Sequence, residues 1–350
     1  MRVEKTVIGQ LNKCYCTAPL HYRGRQHFLV AAEKDDPCLL FDQDGVLQET
    51  IWERPGGVMS IVQLPGGDGA FLTTRKFYSP NDSTEARIEL VTPRPEGGWE
   101  VRTLADLPFV HRFDILTRNG RHYLLACTLK SGHETRDDWS QPGQVFAGEL
   151  PEDLSVFREG AQLPLTVLKD QMLKNHGYSR YLDGGTETGL AAWEGGVCQF
   201  VPPEEAGGAW DIRQLLDEPA SDAVLADLDG DGQPELAAIS PFHGDRFRIY
   251  KQQAGTYRLV YEYGEPMEFL HAMYGGIFCG RPTVIVGHRA GKQELAAFTW
   301  DAAGKTYVRR VLDSGRGPAN ILRLESRGRD VLIAANRETN EIAMYHIEDF

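Results

Sequence analysis

A chain of 350 residues with 50 acidic and 37 basic side chains carries a formal net charge of -13. That balance argues against a nucleic-acid partner, because phosphate contacts need a basic surface. With 41% hydrophobic and 25% charged residues the composition is that of a soluble globular protein, and no apolar run is long enough to span a bilayer, so no membrane partner is expected.

The first residues, MRVEKTV, lack the apolar core of a signal peptide, which points to the cytoplasm. Six cysteines are present, most of them in apolar strand-like runs, and no CxxC pair occurs. They read as buried free thiols, and a cysteine-based zinc site is not expected.

Strand-like apolar runs recur along the chain in units. The first has runs at 28–32, 38–41 and 47–51; the second at 59–62, 70–74, 87–91 and 99–102. The third has 112–116, 123–127 and 144–147, and the fourth 178–182, 189–193 and 197–200. The fifth contains an acidic loop, the sixth has 273–278, 283–286 and 295–298, and the seventh 320–324, 331–335 and 342–345. Seven units in 350 residues are about 50 residues each, the size of a four-stranded propeller blade. Two stretches, 163–174 and 210–218, read as short helical inserts between blades. The last unit lacks an outer strand, which residues 5–8 can supply, closing the ring and removing its edges. The expectation is one all-β domain over 1–350, a seven-bladed β-propeller.

The acidic loop of the fifth unit is DLDGDGQPE, residues 227–235. Asp227, Asp229 and Asp231 alternate, as oxygen ligands of Ca²⁺ do, and Gly230 and Gly232 let the backbone curl around an ion. Gln233 offers its backbone carbonyl and Glu235 a further carboxylate. An EF-hand is excluded: its twelfth position is Ala238, and the flanks are short apolar strands rather than helices. Three acids this close repel one another unless a cation lies between them.

In a propeller the start of each innermost strand faces the channel mouth. His111, His176 and His271 fall there in units three, four and six, with Asp222 and Asn320 in units five and seven. Converging imidazoles with an open position suit Zn²⁺ or a similar metal. The tips between second and third strands carry Arg75, Lys130, His243, His288 and Arg337, a set suited to proton transfer on a polar, carbonyl-bearing substrate. The third tip, 130–143, is long and holds Trp139, which suits a lid or a platform for a sugar ring. No GxSxG, HExxH or phosphate-binding glycine loop is present.

The acidic loop with its flanking strands, residues 223–250, resembles the FG-GAP or VCBS repeat of integrin-like β-propellers. Together with PFHG at 241–244, His111 before Phe113-Asp114, and KNHG at 174–177, it is similar to the propeller of the aldos-2-ulose dehydratase family, which also acts on 1,5-anhydrofructose. That resemblance implies β-elimination of water next to the carbonyl of a sugar. It implies a divalent metal on His111, His176 and His271, with His243 or His288 as general base. The other of these two histidines, or Lys130, would assist the departing hydroxyl, and Arg75 and Arg337 would orient the sugar oxygens. The family enzyme also has cupin domains, which this sequence does not show. The competing expectation is a non-catalytic propeller that binds a carbohydrate or protein on the same face.

Overall fold

The structure is a computed structural model and describes residues 2–135 and 137–348. Its 28 strands form seven four-stranded antiparallel sheets. The seven first strands contact one another in a ring and line a central channel. The helical inserts expected from sequence are outer strands instead: β13 (Thr166–Met172) and β17 (Asp211–Leu216). Outer strands cover the sheet on one side only and are mostly exposed, so they lack the apolar alternation of an inner strand. The helical structure among the described residues is one short 3-10 turn, Leu154–Val156.

Second strands show the opposite character. β3 (Arg25–Ala32), β11 (Arg121–Thr128), β23 (Arg281–His288) and β27 (Arg329–Asn336) all end in six consecutive buried residues. Sheets pack on both of their faces, so these strands read as continuous apolar runs. The cores lie between neighbouring blades: Ile239 and Phe247 of the fifth pack on Val286 and Phe298 of the sixth.

The ring closes as the sequence suggests. β1 (Arg2–Gln10) pairs with β28 (Glu341–Glu348), from Arg2 opposite Glu348 to Gln10 opposite Glu341. Lys5 fixes this join with ion pairs to Glu341 at 2.7 Å and Asp313 at 3.2 Å.

One feature of the first strands builds the site. In blades one, three, six and seven the pairing of first and second strands slips at Tyr15, His111, His271 and Ala319. Such a bulge leaves the extra residue unpaired and re-aims its side chain, here toward the channel mouth. Two residues before each stands a left-handed residue: Lys13, Phe109, Phe269 and Gly317. Lys174 and Gly57 hold the same conformation ahead of His176 and Met59.

Candidate metal centre at the channel mouth

These positions form a ring of Tyr15, Met59, His111, His176, Ser221, His271 and Ala319. In blades five and seven the ring position is therefore Ser221 and Ala319, one residue before the expected Asp222 and Asn320. Hydrogen bonds run from blade to blade around it. His111 Nδ1 lies 2.9 Å from His176 O, His176 Nδ1 3.1 Å from Ser221 O, and His271 Nδ1 2.6 Å from Ala319 O. Arg112 Nη1 donates to Met59 O at 2.6 Å, and Asn320 Nδ2 to Tyr15 O at 2.9 Å. Gly177 permits the contact between blades four and five: a Cβ there would stand 2.5 Å from Asp222 Cα.

A carbonyl only accepts, so each of the three Nδ1 atoms carries the proton. Each Nε2 is then a bare lone pair. His271 Nε2 receives the Tyr15 hydroxyl at 3.0 Å, and His111 Nε2 stands 3.5 Å from the same oxygen. His243 enters from the tip of blade five in a left-handed conformation, φ 48°, and its backbone N–H donates to Ser221 Oγ at 3.2 Å. The turn is tight: a Cβ on the next residue, Gly244, would lie 2.4 Å from Pro241 Cδ. His243 Nε2 stops 3.2 Å from His176 Nε2.

The group whose ligand atoms lie within 4.8 Å of one another is therefore His176, His243 and His271. The expected trio keeps two members and exchanges the third. His111 packs on His176 with ring centroids 4.5 Å apart, but its Nε2 faces Tyr15. A tetrahedral Zn²⁺ with bonds of about 2.05 Å separates its ligand nitrogens by about 3.3 Å. The His176–His243 separation of 3.2 Å matches that edge.

Tyr15, His111, His176 and His271 are all 3% exposed or less. Burial holds the three histidines well below the usual imidazole range, with Arg112 adding to it at His111, neighbouring imidazoles at His176 and Arg289 at His271. Burial lowers His243 to about 3, assisted by Arg289 and Lys174. His176 and His271 thus present proton-free Nε2 atoms, and His243 Nε2–H is the donor to His176 Nε2, a proton that moves to Nδ1 when an ion binds. Aromatic rings flank the cluster: Phe242 lies 5.3 Å from His176 and 5.5 Å from Trp139, and Phe269 lies 4.4 Å from His243. Cations cap these rings, Arg289 over Phe269 at 4.5 Å and Lys174 over Phe242 at 5.4 Å.

The other expected tip residues are committed elsewhere. Lys130 is buried, donates to Asn81 Oδ1 and Asp138 O at 2.9 Å each, and lies 4.5 Å over Trp139. Arg75 pairs with Glu89 at 2.9 Å and donates to Pro55 O. Arg337 pairs with Glu33 and Glu338, tying blade seven to blade one. His288 sits between Ala290 O at 2.9 Å and the Glu294 backbone N–H at 3.1 Å. Its neighbour Arg289 is the residue whose field reaches the cluster.

Tyr15, Arg112 and Arg289 escaped sequence reading. Tyr15 stands two residues after a left-handed Lys13, as His111 does after Phe109. Its strand, β2 (Cys14–Tyr22), lies ahead of the runs at 28–51 that the sequence assigns to the first unit.

The acidic loop joins β18 (Asp222–Ala226) to β19 (Glu235–Ser240), a hairpin as expected. Asp227, Asp229 and Glu235 offer oxygens within 4.8 Å of one another. Lys251 from β20 (Arg246–Gln253) reaches into this group. Its Nζ lies 2.5 Å from Asp229, 2.7 Å from Asp231 and 3.1 Å from the fully buried Glu235. Burial opposes the charge on Lys251, but hydrogen bonds to these carboxylates outweigh it and raise its pKa. Asp227 receives the Gly230 and Gly232 N–H groups at 2.8 and 3.0 Å, and Gln233 contributes a backbone N–H to Asp231 Oδ1 at 3.0 Å.

No protein-family profile and no curated protein sequence matches the chain. Solved structures do. The β-propeller domain of Cps50 (Swd1) from Myceliophteria thermophila superposes with a TM-score of 0.62 at 12% identity, covering 99% of this chain and 100% of that one. The WD40 β-propeller domain of Doa1 superposes with a TM-score of 0.57 at 10% identity, covering 99% and 98%. A Bacteroides uniformis protein provisionally assigned as a 6-phosphogluconolactonase gives 0.57 at 14% identity, covering 97% and 93%. At these identities the likeness is one of fold: a seven-bladed propeller with WD40-like neighbours. No helix among the described residues is long and apolar enough to cross a membrane.

Proposed function

We propose that the channel mouth is a transition-metal centre on His176, His243 and His271, and that the protein is a metal-dependent lyase eliminating water next to the carbonyl of a sugar. The observation that carries the metal is the pair of Nε2 atoms 3.2 Å apart, with the His176 Nδ1 already committed to Ser221 O. The donor set, three neutral imidazoles with Nδ1 anchored on two of them, suits Zn²⁺ and related ions. Such an ion, when bound, supplies Lewis acidity toward a carbonyl oxygen. Of the chain's own groups, His111 is the imidazole left outside the ligands. Its Nδ1 is committed to His176 O, so its proton-free Nε2 is the atom that can take the proton from the carbon next to the carbonyl as general base. Trp139, Phe242 and Phe269 offer faces to a sugar ring, and Lys174 and Arg289 orient its oxygens. The choice of sugar rests on the likeness of PFHG at 241–244 and KNHG at 174–177 to the dehydratase propeller. Arg75, Arg337 and His288, held in their own contacts, take no part, and Lys130 positions Trp139.

The blade-five loop belongs to the same proposal as a Ca²⁺ site of FG-GAP type. Its all-oxygen donors suit a hard cation. The Lys251 ammonium lies among them, so Ca²⁺ would bind in competition with it.

A non-catalytic binding propeller is the second reading. It is favoured by the near-complete burial of three of the four imidazoles and by the WD40 propellers among the structural neighbours. One experiment separates the two. Purified protein is assayed for bound metals and for dehydration of 1,5-anhydrofructose, beside His176→Ala. One transition metal per chain with turnover, both lost in the variant, is the expected result. Metal without turnover leaves a structural metal in a binding protein; no transition metal in either protein overturns the proposal.

A further inference from the structure

Beyond the ring of imidazoles, along the first strands, the channel widens into a chamber of about 560 Å³. Residues of blades one to four and seven form its wall. Most of that wall is apolar, with Ile61, Phe113, Ile321 and Leu322 among the side chains. Two guanidinium groups face it, and their circumstances differ. Arg180 is neutralised by Asp114, with Nε 2.9 Å from Oδ2, and by Glu187 at 3.0 Å. Arg112 donates only to neutral oxygens, Met59 O at 2.6 Å and Asn320 Oδ1 at 3.2 Å. Among the described residues no carboxylate forms an ion pair with it; the buried Asp222 acts on it through space without contact. Two of its five N–H groups are used, and three remain. Its guanidinium bridges blades two and seven on the chamber wall, and its field reaches His111.

A half-buried guanidinium with no carboxylate in contact is costly unless an anion completes it. The volume lies in the range of small-molecule sites. We infer that the chamber is a second ligand site, separate from the metal centre, that takes a small organic monoanion. Its carboxylate pairs with Arg112, a planar match of guanidinium to carboxylate. Its apolar body lies against Ile61, Phe113, Ile321 and Leu322. A fully hydrated inorganic anion leaves that apolar wall unused, so an organic carboxylate is the better fit.

The test uses benzoate as the probe, with inorganic phosphate for comparison, by titration calorimetry on the full chain at low salt. Three variants accompany the wild type: Arg112→Met, Ile321→Trp, which fills the chamber and leaves the guanidinium, and His243→Ala in the metal centre. The expected result is one benzoate per chain, phosphate weaker by at least about tenfold, and a loss of about tenfold or more in the first two variants. His243→Ala should bind benzoate as the wild type does. Thermal unfolding of Ile321→Trp confirms that its fold is intact. Absence of benzoate binding overturns the inference. So does equal binding in Ile321→Trp, or loss of binding in His243→Ala, which places the anion on the metal centre instead.

Discussion

At the channel mouth, imidazoles converge with a phenol and with one another for partners. In blade five, carboxylates converge around an ammonium. The two clusters resemble each other as lists of metal-ligating residues, yet their electrostatic problems differ. An imidazole can escape charge by staying neutral, and burial holds all four in that state. The carboxylates of blade five are held charged instead: burial raises the Glu235 carboxyl, but hydrogen bonds from the Leu228 N–H and from Lys251 oppose it, and the ammonium compensates the group. The lesson is that a cluster's vacancy for a cation is judged by what already neutralises it. By that measure the histidines are the more open site.

The largest expected effect tests this ranking. His176→Ala or His243→Ala should lower bound transition metal from about one per chain to about a tenth or less by elemental analysis. His288→Ala, outside the cluster, should retain the full amount. Equal losses in all three would erase the distinction between the cluster and the neighbouring tip.

Asp222 offers an internal contrast to Glu235, because it is a buried acid with no lysine. Burial raises its carboxyl to about 7, against about 3.9 in an unfolded chain. The unfolded state therefore loses its proton first. The penalty appears as pH rises through about 4 and is complete above about 7. Relative to Asp222→Asn, the wild type should lose up to about 4 kcal/mol of stability across that window, read from denaturant midpoints. A constant difference from pH 4 to 8 would show that Asp222 is already ionised.

Lys251→Met should destabilise the chain by about 3 kcal/mol in the absence of calcium, because buried Glu235 loses its partner. Millimolar Ca²⁺ should restore most of the loss in the variant and raise the wild-type Tm far less. If calcium stabilises both proteins alike, Lys251 is not a competitor for the ion. The smallest effect is Tyr15→Phe. It removes one hydrogen bond to His271 and should cost about 1 kcal/mol by thermal unfolding, with metal content unchanged. Loss of metal in that variant would make Tyr15 a ligand.

The seven blades were legible because their second strands are apolar throughout, as in residues 123–127 and 331–335. The closing strand was legible because the last unit was one strand short. Thr166–Met172 and Asp211–Leu216 were not, since an outer strand has no buried face of its own to impose a period. The repeat position of His111, His176 and His271 was visible as spacing. That His243 replaces His111 in the ligand group was not, because it depends on a turn from another strand level of blade five.

From its sequence alone, this chain determined the repeat number, the circular closure, the acidic hairpin and the set of histidines near one face. Local pattern encodes these, since periodicity and turn residues act over a few positions. Tertiary structure decided which groups meet. Bulges turned Tyr15 and His111 toward the axis, Gly177 let blade four touch blade five, and Lys251 arrived from the third strand to occupy the carboxylates. Arg289 rather than His288 came to face the cluster. Each of these is a contact between residues distant along the chain, set by how the blades pack, and no local pattern carries that information.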